Sequence, residues 1–151
     1  MNIKLALSIL AIGLATLAGC ASVPMESKEQ DSAAKQFVAP EGEMSGVYIF
    51  RNSNFGAALK KLISLDGNPL GQTAPMTYFY KDIAPGKHTV TTQAEFGDNQ
   101  IEFIAEKGKF VFIRNYIKMG TFVGSANVEQ VSEAEGKNGV LECSRAAPFS
   151  K

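Results

Sequence analysis

The sequence predicts a mainly β domain: a small antiparallel β-sandwich of about seven short strands, with a short C-terminal helical turn. Three observations lead there. Short segments rich in Val, Ile, Thr, Tyr and Phe recur from residue 46 onward. Gly, Pro and Asp-Gly signals separate them at close spacing. The chain has 151 residues, 45% of them apolar, which suits one modest core and argues against global disorder.

Residues 46–51 (GVYIFR) read as the first strand, which 52–56 (NSNFG) ends. Residues 59–65 (LKKLISL) lead into Asp66-Gly67-Asn68, a hairpin signal because Asp-Gly accepts positive φ. Residues 69–72 continue as a short edge strand, the setting in which Pro69 is tolerated. An aromatic strand at 77–81 (TYFYK) stops before Ala84-Pro85-Gly86. Residues 87–95, 100–105 and 109–118, joined by turns at 97–99 and 107–108, read as a three-stranded antiparallel meander. Residues 110–113 are apolar on both faces, which predicts a central strand. Residues 120–128 add one more strand. In 132–141 (SEAEGKNGVL), Ser132 followed by Glu135 has the pattern of a capping box, and Gly136 and Gly139 limit the helix to one or two turns.

The beginning of the chain has a different character. After Lys4, residues 5–18 (LALSILAIGLATLA) carry no charge. This run is short of the roughly 20 residues needed to span a bilayer but fits the apolar core of a secretory signal peptide. It ends in Leu17-Ala18-Gly19-Cys20, which resembles the lipobox of bacterial lipoproteins. The resemblance implies cleavage between Gly19 and Cys20, diacylglycerol on the Cys20 thiol, and acylation, such as palmitate, of the new amino terminus. Several acyl chains hold a protein to a membrane stably, where one myristoyl chain does not. Ala21 rather than Asp follows the cysteine, and in enteric-type lipoproteins this implies transfer to the outer membrane, facing the periplasm. Residues 1–19 are thus read as signal peptide, and 20–43 as a lipidated N-terminus with a flexible tether. The β-sandwich is assigned to 44–145 and a tail to 146–151. Within the tether the candidate helix is a short one at 28–37.

Three segments, 46–52 (GVYIFRN), 66–90 with its DGNPLGQ and TYFYKDIAPGKHTV pieces, and 108–117 (GKFVFIRNYI), resemble a widespread group of small bacterial lipoproteins. That group is defined only as a domain of unknown function. The 66–90 stretch also resembles PEGA-type surface domains. The resemblance covers roughly residues 44–145 and implies a compact PEGA- or Ig-like β-sandwich, exported and lipid-anchored. It brings no activity and no catalytic residues.

Chemistry-bearing residues are sparse. The 15 basic and 15 acidic residues balance, with no basic footprint for nucleic acid. His88 is the single histidine, and no CxxC, GxSxG or phosphate-cradling loop occurs. Glu95 with Asp98-Asn99 fits a hairpin turn better than a calcium loop. With Cys20 lipidated, Cys143 is left as an unpaired structural thiol, and the core must stand without a disulfide. No catalytic residue, metal or cofactor is expected.

The aromatic residues outnumber what one core of this size can absorb. Tyr78 and Tyr80 share a strand face, and Arg51 and Arg114 interrupt apolar strands, where a charge needs a partner: a carboxylate in a structural salt bridge, or alternatively a ligand. These four form the candidate ligand face. The expected function is a membrane-anchored, non-catalytic envelope lipoprotein whose β-domain binds or supports a protein or glycan partner. The alternative is a small-ligand or glycan binder using the Tyr and Arg side chains. A hydrolase built on His88 ranks well below both.

Overall fold

The computed structural model describes residues 21–150. The leader and the lipobox, including Gly19 and Cys20, lie outside the described residues. The domain is a β-sandwich of nine strands, with two helices laid on one outer face. The strands are β1 (Ser45–Arg51), β2 (Lys61–Leu65), β3 (Asn68–Thr73), β4 (Thr77–Ile83), β5 (Gly86–Gln93), β6 (Asp98–Ala105), β7 (Phe110–Lys118), β8 (Ser125–Val131) and β9 (Ser144–Arg145). The helices are α1 (Lys28–Ala34) and α2 (Glu133–Leu141).

One sheet has the order β8-β7-β1-β4-β9 and the other β3-β2-β5-β6. Every residue of the central strand β1 is buried, because it is covered on both faces. β3 lies at an edge, as Pro69 requires. The β2–β3 turn places Asp66 at φ 51° and Gly67 at φ 76°, as the Asp-Gly pair predicts.

Two features depart from the expected topology. The sandwich is not wholly antiparallel: β1 pairs with β7 in parallel, and so does β4 with β9. Residues 87–118 are also not a meander. β5 and β6 form a hairpin, but β7 crosses to the other sheet and sits between β1 and β8. The Lys107-Gly108 turn makes that crossing, with the Gly108 N–H donating to the Met44 carbonyl at the start of β1. The apolar content on both faces of β7 is what a strand in the middle of a covered sheet needs.

Alternation along β1 sends its side chains into two cores. Val47 and Ile49 face the second sheet, in a cluster with Ile63, Phe79, Val90, Phe103, Val111 and Ile113. Tyr48 and Phe50 face outward, into a cluster with Ala34, Tyr78, Phe112, Val140 and Cys143. The helices close this second core, so the surplus of aromatic residues is divided between two interiors. Tyr48 stacks on Phe112 at 5.1 Å between centroids, and Phe37 packs against Tyr48 at 5.4 Å.

The segment expected to be a flexible tether is folded onto the sheet. Ser27 caps α1, with Gln30 completing a reciprocal capping box. Asp31 Oδ1 accepts the Tyr78 hydroxyl at 2.8 Å and the Arg145 N–H at 3.0 Å, and the Tyr48 hydroxyl donates to the Ala34 carbonyl at 2.6 Å. Met25 bridges Ala146, so the expected tail is also structural: Ala146 is buried, and the Phe149 N–H donates to the Leu70 carbonyl. Among the described residues, no helix is long and apolar enough to cross a membrane.

Helix α2 runs nine residues, longer than the expected one or two turns. Its glycines explain both its weak propensity and its position. A Cβ on Gly136 would lie 2.2 Å from Phe112 Cγ, and one on Gly139 would lie 2.2 Å from Phe50 Cε2. Only glycine lets the helix backbone approach these rings.

Candidate functional site

The four residues expected to share a ligand face are separated by the fold. Strand alternation puts Arg51 on the inter-sheet side, while Tyr78, Tyr80 and Arg114 lie on the helix-covered side. Arg51 is fully buried. Its guanidinium donates to the carbonyls of Leu59 at 2.7 Å, Phe55 at 3.0 Å and Gly56 at 2.8 Å, which fixes the loop between β1 and β2. Burial lowers its pKa, and its partners are carbonyl dipoles rather than the expected carboxylate.

Tyr78 is also fully buried, and burial together with its bond to Asp31 pushes its pKa up. It pins α1 to the sheet. Tyr80 is half-buried and donates to Asp82 Oδ1 at 2.5 Å, with the Arg145 guanidinium 5.5 Å from its ring centroid. Those two rim a shallow cavity of about 190 Å³ beneath Ala34 and Val38. Arg114 forms a salt bridge as expected, to Glu129 at 2.7 Å through Nε and to Glu135 at 2.8 Å through Nη1. The Glu129 hydrogen bond is the main reason its pKa is raised. It ties β7 to β8 and α2.

His88 sits at the opposite end of the sandwich from Arg51. Its Nδ1 meets Asp66 Oδ2 at 2.7 Å, and its Nε2 meets the Ala84 carbonyl at 2.7 Å. Both partners are acceptors, so the doubly protonated ring is favoured. Burial alone would lower the pKa, but the Asp66 bond, the Ala84 carbonyl and the Asp66 charge outweigh it and hold His88 above its usual value. Asp66 Oδ1 also accepts the Thr89 N–H at 2.9 Å. The pair thus fastens the β2–β3 turn to the β4–β5 turn, beside an open cavity of about 630 Å³ bounded by Lys81 and Phe149. With both ring nitrogens engaged, His88 has no free base to offer a substrate.

Cys143 is buried, its Sγ 3.5 Å from the Arg51 carbonyl, and burial pushes its thiol up to about 12. Among the described residues no three His, Cys, Asp or Glu side chains converge on a cation site.

Glu95 has a role the sequence did not suggest. Rather than lining a turn with Asp98, its carboxylate accepts the N–H groups of Thr121 and Phe122, each at 2.5 Å, and of Val123 at 3.0 Å. This fixes the loop between β7 and β8. The three backbone bonds outweigh desolvation and keep its pKa low. The sequence signal was indirect: Phe96 stands beside the 97–99 turn, and Phe122 and Val123 lie in what was expected to be the start of a strand over 120–128 but is loop, β8 beginning only at Ser125.

The family model that matches the chain spans residues 41–126 and is described as Protein of unknown function (DUF2846). The chain belongs to this family. The match runs from just before β1 to the start of β8, so it covers most of both sheets and leaves out the two helices of the outer layer. An uncharacterized protein of Haemophilus influenzae (strain ATCC 51907 / DSM 11121 / KW20 / Rd) is 46% identical over 139 residues. That alignment covers 92% of this chain and 82% of the relative. It is therefore long enough to take in part of the helical layer as well as the sheets. No solved structure matches the DUF2846 chain significantly.

Proposed function

We propose that this DUF2846 protein is a lipoprotein of the bacterial envelope, held to a membrane by acyl chains on Cys20. Its β-domain serves as a non-catalytic binding or structural module for another envelope component. The observation that carries this reading is the sequence Leu17-Ala18-Gly19-Cys20 at the end of an uncharged run preceded by Lys4. Small residues before the cysteine let an extended backbone enter a peptidase groove, and the thiol supplies the nucleophile for lipid transfer.

The side-chain chemistry of the domain supports a module rather than an enzyme. His88 is engaged at both nitrogens, and Cys143 is buried with its thiol held protonated. The polar groups of Arg51, Asp31 and Glu95 hold loops and a helix in place. The likeness of residues 66–90 to PEGA surface domains agrees with that role. With Ala21 after the cysteine, the outer membrane, on its periplasmic side, is the proposed location.

Replacing Cys20 with Ala tests the anchor. The variant is expected to leave the membrane fraction and to take up no radiolabelled palmitate; a variant that still fractionates with membranes and still takes up palmitate refutes the reading. Crosslinking in cells tests the accessory role, for which a recurrent envelope neighbour is expected. Recovery of bulk lipid and abundant porins alone would count against it.

A further inference from the structure

One end of the sandwich carries a concentrated apolar tip. The loops and turns at the ends of β1, β5 and β7 expose Phe55 (52%), Phe96 (73%), Met119 (83%), Phe122 (84%) and Val123 (56%). Large apolar side chains exposed singly are ordinary, but five on three adjoining loops are not. The loops adjoin because Glu95 binds the backbone of 121–123, and because Gly56 and Gly124 lie against Ile117 and Leu59.

The exposure is built in. The Arg51 guanidinium holds the carbonyls of Phe55 and Gly56, and the Glu95 carboxylate holds the N–H groups of Phe122 and Val123. Both loops are gripped by their backbone, which leaves the apolar side chains pointing away from the domain. Beneath them the interior holds buried polar side chains, Asn115, Thr73 and Thr92, alongside the apolar Ile117 and Ala126. Asn115 links Thr73 and Thr92 across the sheets, with distances of 2.7 and 3.2 Å.

Ala21, the residue after the proposed lipidation point, lies at this tip. The N–H of Ala21 donates to the Ala57 carbonyl at 2.9 Å, within the same loop as Phe55. Ala21 is covalently joined to Cys20, and consecutive Cα atoms are about 3.8 Å apart. Acyl chains on that cysteine would thus leave the domain beside the exposed Phe and Met side chains, with no leash between.

We propose that this tip is a membrane-contact surface: Phe55, Phe96, Met119, Phe122 and Val123 enter the interfacial layer of the bilayer that receives the Cys20 lipid. Together they fix the domain upright with His88 at the far end. Aromatic and long apolar side chains suit this boundary layer, and the exposed Lys60 and Lys118 nearby suit anionic headgroups, opposed there by Asp98. The proposal rests on the Cys20 anchor for its geometry, but it is tested separately from it.

The chain contains no tryptophan, so a single introduced indole is a clean probe. Phe122→Trp reports on the tip and Ile104→Trp, on the exposed face of β6, on the far side; both positions are exposed enough to leave folding unaffected. Each full-length chain is produced with labelled palmitate, purified, and placed in phosphatidylethanolamine–phosphatidylglycerol vesicles with brominated acyl chains. Quenching should cut the emission of the Phe122→Trp variant roughly twofold, as for a ring ~5–10 Å below the surface, and leave that of Ile104→Trp nearly unchanged. Palmitate uptake with equal or absent quenching in the two variants overturns the tip proposal, leaves the anchor standing and frees the tip for a protein partner. Quenching in Phe122→Trp alone, without palmitate uptake, upholds the tip and refutes the anchor. Neither signal refutes both.

Discussion

Replacing Gly136 with Ala sets two known effects against each other. Alanine should favour helix α2 by about 1 kcal/mol over glycine. The added Cβ, however, would lie 2.2 Å from Phe112 Cγ and 2.3 Å from its Cβ, where contact needs about 3.5–4.0 Å. The clash is at the root of the Phe112 side chain, so rotating the ring does not relieve it. Either β7 or the whole helix must shift by more than an ångström, which loosens Val140 and Cys143 as well. Overpacking of this kind costs about 1–3 kcal/mol, and a root clash belongs at the upper end. The net expectation is a loss of about 2 kcal/mol, or about 8 °C in Tm for a chain of this size. Urea unfolding followed by circular dichroism measures it, with Asn138→Ala as a control on the exposed side of the same helix. The control should gain about half a kcal/mol from propensity alone. If Gly136→Ala is as stable as the control, the close approach of α2 to the sheet is wrong.

Arg51→Met should cost about 2 kcal/mol, since three loop carbonyls lose their donor while a buried charge is relieved. It should also open residues 52–60 to limited proteolysis, and an uncut loop would contradict the role given to Arg51. His88 is raised above its usual pKa in the folded state, so its contribution is complete at pH values below the unfolded pKa of about 6.5. That contribution is lost as pH rises through the folded pKa; His88→Gln should flatten the slope of stability against pH, and an unchanged slope would refute the pairing with Asp66. Cys143 should resist a thiol reagent in the native protein and react once urea unfolds it, because the thiol is buried and its pKa is pushed up to about 12. Rapid native labelling would show that the second core is open.

Local chemistry in the sequence was a good guide where the structure is local. The Asp66-Gly67 turn, the edge position of Pro69 and the cap at Ser132 all follow from residue type. Pairing across distance was not legible. The Lys107-Gly108 turn looks the same whether β7 continues a hairpin or crosses to the other sheet, and the choice is made by its parallel register with β1. The apolar character of 110–113 pointed to a strand covered on both sides but not to what covers it. Helix α1 was hard to see because it brings only Ala34 to the core, with Phe37 following its end, and its docking depends on Asp31 meeting Tyr78 and Arg145, far along the chain. The surplus of aromatics was the one sequence signal of a second core. Reading part of it as a ligand face failed because Tyr78 and Arg51 lie on opposite sides of one sheet, both buried. The tip was not legible because Phe96 and Phe122 come to one end of the domain only when two loops from different sheets are held together by Glu95.

Mass spectrometry of the N-terminal peptide from the membrane fraction tests whether Cys20 anchors this domain to a membrane. An anchored domain yields a peptide that begins at Cys20 and carries diacylglycerol on sulfur and an acyl chain on nitrogen. A peptide that still contains Leu17-Ala18-Gly19, or one that begins at Cys20 with a free thiol, would contradict it.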